Sequence, residues 1–312
     1  MKIFLDSKRK HIMIQRMEPI WKELGHKFVK SYKEADVQLS LVKINQKGKL
    51  PTVLRLDGVY YDLDIDYKEK NGEISKAHSI ADAIIYQSNY GKKLCETYLL
   101  PRKKNALYRI IPNGIEKNWV IRKDHDGMNI VVAAIWRRHK RLKEIIELFL
   151  ELLEICIDIR LHIIGDICDN LEVPHPKIIY YGELSQSRIK EVYEIADLHI
   201  HLSKRDNCPN TVIEAIGAGV PVLTTNLCGG ATEICGQYSG GFVCYEGEDT
   251  YNPVYSYREE WNILPVPTKV KLLNYLESFY WLKPKEYYFL EEINIRNVAK
   301  KYVKVMEEAC GK

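Results

Sequence analysis

Residues 203–226, SKRDNCPNTVIEAIGAGVPVLTTN, constrain this chain more than any other stretch. They follow the strand signal HIHLS and place two acids, Asp206 and Glu214, eight positions apart with a helix start between them. Cys208-Pro209-Asn210 stops the strand. Either Pro209 or Asn210 can open the helix TVIEAIGAG, because Pro tolerates the first helical turn and Asn caps free N–H groups. Asp206 is then expected in the loop before the helix, and Glu214 about one turn inside it. The unpaired N–H groups and positive dipole end of that helix favour an anion, above all a phosphate, held between the acids. Such a site suits a charged leaving group beside a sugar or ribose.

The rest of the chain alternates strand and helix signals. KIFLD, a helix around IQRMEPIWKELG, HKFVKS, ADVQLSLVK and PTVLRLDGVYY open it with short connections. A helix EISKAHSIADA, the strand AIIYQS, a helix from Asn89 to about Tyr98 and YRIIPNG complete a first half, closed by the turn signal Asn113-Gly114. Residues 115–128 read as a linker. MNIVVAAIW, the amphipathic KRLKEIIELFLELLEI, DIRLHIIGD, PKIIYYGEL and SQSRIKEVYEIAD then repeat the pattern up to LHIHLS. This alternation predicts an α/β chain with parallel sheets covered by helices on both faces, in two Rossmann-like domains facing a central cleft. The expected domains are 1–126, 127–290 and a C-terminal helix at 291–312. Residues 246–265 read as an irregular excursion, with a helix near 268–281 after it and a last helix near 293–309. Ligands of such sheets bind beyond the carboxyl ends of the strands, where Asp206 and Gly165 fall.

A length of 312 residues and a hydrophobic content of 46% can fill two cores. No run of eighteen apolar residues occurs and Met1 leads straight into a strand, so neither a signal peptide nor a transmembrane helix is expected. Eight cysteines are scattered without a CxxC pair, as packing thiols of a reducing, cytoplasmic compartment would be. The net charge of +4 is uneven: 25 basic side chains face 16 acidic ones up to residue 126, and 21 face 26 after it. The basic half suits an anionic partner, either an acidic glycan or an anionic membrane met peripherally, or is simply a solvated Lys-rich surface. No nucleic-acid-binding motif accompanies the charge.

Asp206-x7-Glu214, followed by Ala215-Ile216-Gly217-Ala218-Gly219-Val220-Pro221-Val222, resembles the Glu-x7-Glu signature of retaining glycosyltransferases of family 4, within glycosyl transferases group 1. That family has the GT-B fold. The departure is Asp206, which stands where the family usually has Glu and reaches one methylene less far. A second motif agrees: Trp136-Arg137-Arg138-His139-Lys140-Arg141-Leu142 resembles the family's Arg and Lys that clasp the donor diphosphate. On that match Lys140 is the Lys and Arg137 the Arg, with Arg138 the competing choice. Two fixed cations stabilise a departing diphosphate more in the transition state than in the ground state. The resemblance further implies that Glu214 binds the nucleotide ribose, that Asp206 contacts donor-sugar hydroxyls, and that backbone N–H groups near Asn210 and Thr211 take phosphate oxygens. Tyr181-Gly182-Glu183 falls where the family's loop meets the base, although Tyr181 suits a core position equally.

For the acceptor, the informative string is Val53-Leu54-Arg55-Leu56-Asp57-Gly58-Val59-Tyr60-Tyr61. Arg55, Asp57 and Tyr60 are the candidate acceptor residues, Asp57 also serving as a catalytic candidate beside Asp206, Arg137 and Lys140. Many family members carry a His-Asp pair here, whereas this chain has Leu56-Asp57. The family's glycine-rich first loop is replaced by Asp6-Ser7-Lys8-Arg9-Lys10-His11. Asp62-x-Asp64-x-Asp66 offers the acid pairs that bind a metal in another glycosyltransferase fold, but reads here as a solvated loop; no metal or other cofactor is expected. His199 and His201 alternate along one strand and are expected to share a face in a packed or hydrogen-bonded role. The expectation for the whole chain is a retaining transferase moving a sugar from a UDP- or GDP-sugar to a hydroxyl of a glycan or lipid-linked acceptor. A nucleotide-sugar epimerase on the same fold, or a non-catalytic nucleotide-sugar-binding scaffold, remains open.

Overall fold

The structure is a computed structural model that describes residues 1–7, 11–60, 62–63, 65–167, 171–248, 263–282 and 287–311. Two compact units divide these residues. One draws on Met1–Glu116 and Glu291–Lys312, the other on Lys117–Asn252 and Ser256–Leu290. Lys8, Arg9, Lys10, Tyr61, Asp64 and most of the irregular excursion expected at 246–265 lie outside the described residues.

The first unit carries strands β1 (Lys2–Asp6), β2 (Lys27–Val29), β3 (Val37–Leu41), β4 (Thr52–Leu56), β5 (Ala83–Tyr86) and β6 (Leu107–Ile110). They form one parallel sheet in the order β2-β1-β3-β4-β5-β6. The central runs VQLSL, TVLRL and AIIY are apolar and buried, as strands covered on both faces must be. Helix α1 (Ile12–Glu23) buries Met13, Ile14, Met17, Ile20 and Trp21 at helical spacing, and the His11 side chain caps its start by accepting from the Met13 N–H at 3.2 Å. Helix α2 (Tyr67–Ile80) begins six residues before the expected EISKAHSI segment. Asp66 caps it, accepting from the Glu69 N–H at 2.9 Å, and Gly72 in its interior weakens the sequence signal. Helix α3 (Asn89–Tyr98) follows β5, capped by Ser88.

The second unit repeats the plan with β7 (Met128–Ala133), β8 (Ile159–Ile164), β9 (Ile178–Tyr180), β10 (Leu198–His201), β11 (Val222–Thr225) and β12 (Gly241–Cys244). The parallel order β12-β11-β10-β7-β8-β9 reverses direction between β7 and β10. That reversal opens a crevice beyond the carboxyl ends of the two strands, the place where open α/β sheets bind ligands. Helix α4 (Leu142–Leu153) buries Leu142, Ile145, Ile146, Leu148, Phe149 and Leu152; α5 (Gln186–Glu194) and α6 (Asn210–Gly217) flank β10. Helix α7 (Gly230–Gln237) and strand β12 carry no clear sequence signal, being short and glycine-containing. Gly241 is required there, since a Cβ would sit 1.9 Å from the Cys235 carbonyl oxygen. Helix α8 (Val266–Leu282) packs on α4 through Leu272, Leu276 and Phe279.

The expected boundary at 126 needs moving, because residues 117–126 belong to the second unit. Buried Trp119 donates its indole N–H to the Glu214 carbonyl at 2.8 Å, and the Lys123 N–H reaches the Glu194 carbonyl at the same distance. A buried indole with a satisfied N–H fixes a segment that its mixed charges and Gly127 marked as a linker. The last helix, α9 (Ile295–Ala309), belongs to the first unit. Its Ile295, Val298, Ala299, Tyr302 and Met306 join the core of α1, and the Trp21 indole donates to the Ala299 carbonyl at 2.9 Å.

Candidate functional site

The crevice between β7 and β10 holds a cavity of about 230 Å³ lined by Arg137, Lys140, His201, Asp206, Asn210 and Thr211. Two loops build it. The loop after β7 is pinned by Trp136, which is buried and donates its indole N–H to the Ile164 carbonyl at 3.0 Å. A single helical turn, Arg138–Lys140, then delivers Lys140. The loop after β10 is clamped at Asp206, whose N–H donates to the Cys228 carbonyl at 3.3 Å and whose carbonyl accepts from the Gly230 N–H at 2.7 Å. Across the cavity the Lys140 Nζ and Asp206 Oδ2 meet at 2.6 Å, with His201 Nε2 3.6 Å from the same oxygen. Helix α6 starts at Asn210, and the buried Thr211 Oγ1 beside it has no hydrogen-bond partner among the described residues.

Both loops contain a residue in the left-handed region, Arg141 at φ 60° and Arg205 at φ 59°. Bulky residues avoid that conformation unless their surroundings hold them there. Arg141 is held by Glu246: its Nη1 and Nη2 reach the two carboxylate oxygens at 2.8 and 2.5 Å, and Thr225 Oγ1 donates to the same carboxylate at 2.9 Å. The pair is fully buried, at 0% and 2% side-chain exposure. Arg141 follows Lys140 directly, so this ion pair fixes the end of the cation-bearing turn.

Burial pushes the Asp206 carboxyl up, but the charge and hydrogen bond of Lys140, with His201 and His139, outweigh it and hold it below the usual carboxylate range. Burial, opposed by Asp206 and aided by Lys140, leaves His201 at about 4, and burial with Lys140 and Arg137 keeps His139 well below its ordinary value. His199 stacks on His201 with ring centroids 6.2 Å apart and is lowered to about 3 by burial. The histidines are therefore neutral near pH 7. The cavity then carries two cations, Arg137 and Lys140, against one carboxylate, and this surplus beside a helix N-terminus can bind an anion.

The other expected residues divide. Arg138, the competitor of Arg137, forms a two-pronged ion pair with Glu144 of α4, at 2.6 and 2.9 Å, and Arg137 alone lines the cavity. Glu214 is buried on α6 but does not line the cavity. Gly165 stands at φ +106° with the Ala134 carbonyl oxygen 1.8 Å from where a Cβ would be, so close packing of the loops after β7 and β8 is enough by itself to require glycine here. Tyr181 stacks on His162 and shares a hydrogen bond with its Nδ1 at 2.9 Å, while Glu183 is exposed; neither lines the cavity. His139, Arg141 and Glu246 went unassigned in the sequence. Glu246 lies 105 positions from Arg141, and no local pattern links them.

In the first unit Arg55 is buried at 1% exposure and donates to Asn113 Oδ1 at 2.9 Å and to Asp57, which also accepts from Gln87. His11 lies in the same electrostatic neighbourhood: burial and then Arg55 lower its pKa, and Asp57 opposes them. A histidine thus does stand near Asp57, brought from the β1–α1 connection rather than from the adjacent position. Tyr60 is 40% exposed and lines a separate cavity on α2. Asp62 is buried and Asp66 caps α2. Among the described residues no group of three or more His, Cys, Asp or Glu side chains converges as a metal site. No helix among them is long and apolar enough to cross a membrane. A larger cavity of about 500 Å³ in the second unit borders Met128, Asp197 and Pro221, at the amino ends of the strands and away from the crevice chemistry.

Comparison with known proteins agrees with this architecture. Residues 115–251 match the family Glycosyl transferases group 1. N-acetyl-alpha-D-glucosaminyl L-malate synthase of Bacillus anthracis is 24% identical over 130 residues, 39% of this chain and only a third (33%) of that protein's own length. Sucrose-phosphate synthase from Thermosynechococcus elongatus superposes with a TM-score of 0.67 at 10% identity over 98% of both chains. Anabaena HepE, solved in complex with UDP-glucose, gives 0.60 at 12% identity, over 99% of this chain and 98% of that one. The chain has the GT-B fold of two Rossmann-like units and resembles the family 4 members of glycosyl transferases group 1.

Proposed function

We propose that the chain is a retaining glycosyltransferase that moves a sugar from a nucleoside-diphosphate sugar to a hydroxyl of a glycan or lipid-linked acceptor. The observation that carries this reading is the crevice of the second unit, where Arg137, Lys140 and the start of α6 surround one cavity with Asp206. In this reading the diphosphate lies against Arg137, Lys140 and the N–H groups at Asn210 and Thr211, and Thr211 Oγ1 gains the partner it lacks. The leaving diphosphate gains negative charge as the glycosidic bond breaks, and the two cations stabilise that change. Asp206 contacts the hydroxyls of the transferred sugar and Glu214 serves the nucleotide ribose. The acceptor hydroxyl attacks from the face the diphosphate leaves, passing its proton to a donor phosphate oxygen, so configuration is retained. The first unit takes the acceptor, with Arg55, Asp57 and Tyr60 as its candidate contacts. UDP comes first among donor nucleotides because HepE, of the same fold, binds UDP-glucose; GDP is next. The side-chain cations meet the diphosphate charge directly, so transfer is expected to survive EDTA.

The test is a donor panel of UDP- and GDP-sugars, read by nucleotide release and by thermal shift, on the parent chain and on Lys140→Ala and Glu214→Ala. Loss of one of two transition-state cations is expected to lower turnover about 10²-fold or more. Unchanged turnover in both variants would sink the proposal.

A further inference from the structure

Helix α2 of the first unit contains a glycine that its packing does not explain. Gly72 lies mid-helix, its φ is not positive, and a Cβ built on it meets nothing within 4 Å among the described residues. Glycine is the poorest helix former apart from proline, so an interior glycine with empty space above it weakens the helix without serving the fold. That space is a cavity of about 290 Å³ lined by Tyr60, Tyr67, Lys68, Asn71, Ser75 and Tyr98 together with Gly72.

The walls are held in place. Asn71 clasps the backbone of Tyr60, accepting from its N–H at 2.8 Å and donating to its carbonyl at 2.6 Å. Ser75 Oγ accepts from the Leu100 N–H at 2.6 Å, tying the segment after Tyr98 to the same helix, and Lys70 sits 5.0 Å over the Tyr60 ring. Three tyrosine rings therefore surround a bare stretch of helix backbone. Along α2 the lysines Lys68, Lys70 and Lys76 stand against Glu69, Glu73 and the cap Asp66, with Glu73 ion-paired to Lys43 at 3.0 Å, and Lys68 is the single cation among the described residues that line the cavity. The volume falls at the lower edge of the range for small-ligand sites, about 300–1,000 Å³, and suits one ring rather than a nucleotide. Rings with an apolar face and polar edges, together with fixed amide and hydroxyl groups, fit an uncharged pyranose, which has the same amphipathic character.

We propose that this slot binds a neutral sugar ring of the acceptor, lying flat on α2 at Gly72 between the tyrosines. The proposal rests on the reading that the first unit takes the acceptor, and it adds that the recognised group is an uncharged hexopyranose rather than an anionic headgroup. Glycine is needed at 72 because a side chain there would occupy the ring's place.

Saturation-transfer NMR on the full chain tests this with methyl glucoside, methyl galactoside, methyl mannoside and N-acetylglucosamine as probes, and inorganic phosphate as the anionic competitor. The parent chain is expected to transfer saturation to at least one sugar, undiminished by phosphate. Gly72→Gln should abolish the signal while raising the melting temperature by about 2–4 °C, since it removes only a helix-breaking residue. Tyr98→Ala, which leaves the helix itself intact, should weaken the signal at least fivefold. Absence of transfer from every sugar, or full signal in both variants, overturns the proposal, as does displacement by phosphate. A thermal-shift response to UDP, measured alongside, reports the second unit separately; a lost UDP response with retained sugar binding counts against the transferase reading alone.

Discussion

Removing Glu246 should damage the second unit more than removing any residue that lines the crevice. Its carboxylate accepts two hydrogen bonds from Arg141, at 2.8 and 2.5 Å, and one from Thr225 at 2.9 Å, with Lys204 3.8 Å away. Arg141 and Glu246 are 0% and 2% exposed, so neither can recover its lost partner from solvent. Deleting one member of such a buried pair costs about 3–5 kcal/mol, chiefly from the charge left behind. A unit of this size loses about 2–4 °C of melting temperature per kcal/mol, so Glu246→Ala should melt roughly 6–20 °C below the parent chain. The double variant Arg141→Met, Glu246→Leu removes both charges and should recover most of the loss. The pH dependence has a definite sign. Burial raises the Glu246 carboxyl, but the hydrogen bond and charge of Arg141 outweigh it and the folded value is depressed. The stabilisation is thus complete above the unfolded glutamate value, about 4.3, and fades as pH falls through the folded one, so parent and variant curves should converge in acid. Differential scanning calorimetry decides the matter. A Glu246→Ala protein melting within 2 °C of the parent at pH 7 would refute the assignment of the pair as the anchor of the cation-bearing turn.

Other outcomes follow from single contacts. Gly165→Ala should lose more than about 2 kcal/mol in urea titration, because its Cβ would meet the Ala134 oxygen at 1.8 Å and its φ of +106° disfavours any side chain; a neutral result would mean that the two loops can part freely. Burial holds both His162 and His201 at about 4, so between pH 6.5 and 4 the unfolded chain takes up protons that the folded one refuses. Stability must therefore fall as pH drops through that window, by about 2 kcal/mol per histidine at pH 5, and urea midpoints unchanged between pH 7 and pH 5 would contradict it.

Local pattern carried far into this molecule, and it failed where the decisive partner was distant. Strand and helix alternation indicated both parallel sheets, because runs such as AIIY and VLTT are apolar enough to be buried on both faces. The string from Asp206 to Val222 located the loop and helix that border the crevice, since Pro209 and Asn210 mark a helix start by their own chemistry. Three features were hidden for physical reasons. Arg141 and Glu246 meet across 105 positions, a separation no periodicity records. Gly165 at a strand end fits close approach by a ligand or by backbone equally well in sequence, and the backbone contact shows only in the position of the Ala134 oxygen. His11 and Asp57 are far apart in sequence, yet a parallel sheet gathers the carboxyl ends of β1 and β4 on one side.

Asp206 is paired with Lys140 at 2.6 Å, so the cation proposed to meet a diphosphate is already compensated in the free protein. An incoming phosphate must share Lys140 with a carboxylate that repels it. At roughly 6 Å and an effective dielectric near 20, that repulsion is about 3 kcal/mol before counterions reduce it. Asp206→Asn keeps the shape and removes the charge. If the diphosphate and Asp206 compete for Lys140, this variant should bind UDP about five- to tenfold more tightly while transferring sugar about 10²-fold more slowly, because the contact to the donor-sugar hydroxyls is weakened. Affinity and turnover would then move in opposite directions, the signature of a group that trades nucleotide binding for catalysis. Titration calorimetry with UDP beside a nucleotide-release assay separates the cases. If UDP affinity instead falls together with turnover, Asp206 holds Lys140 in position for the phosphate, and the pair acts as one preorganised clamp rather than as competitors.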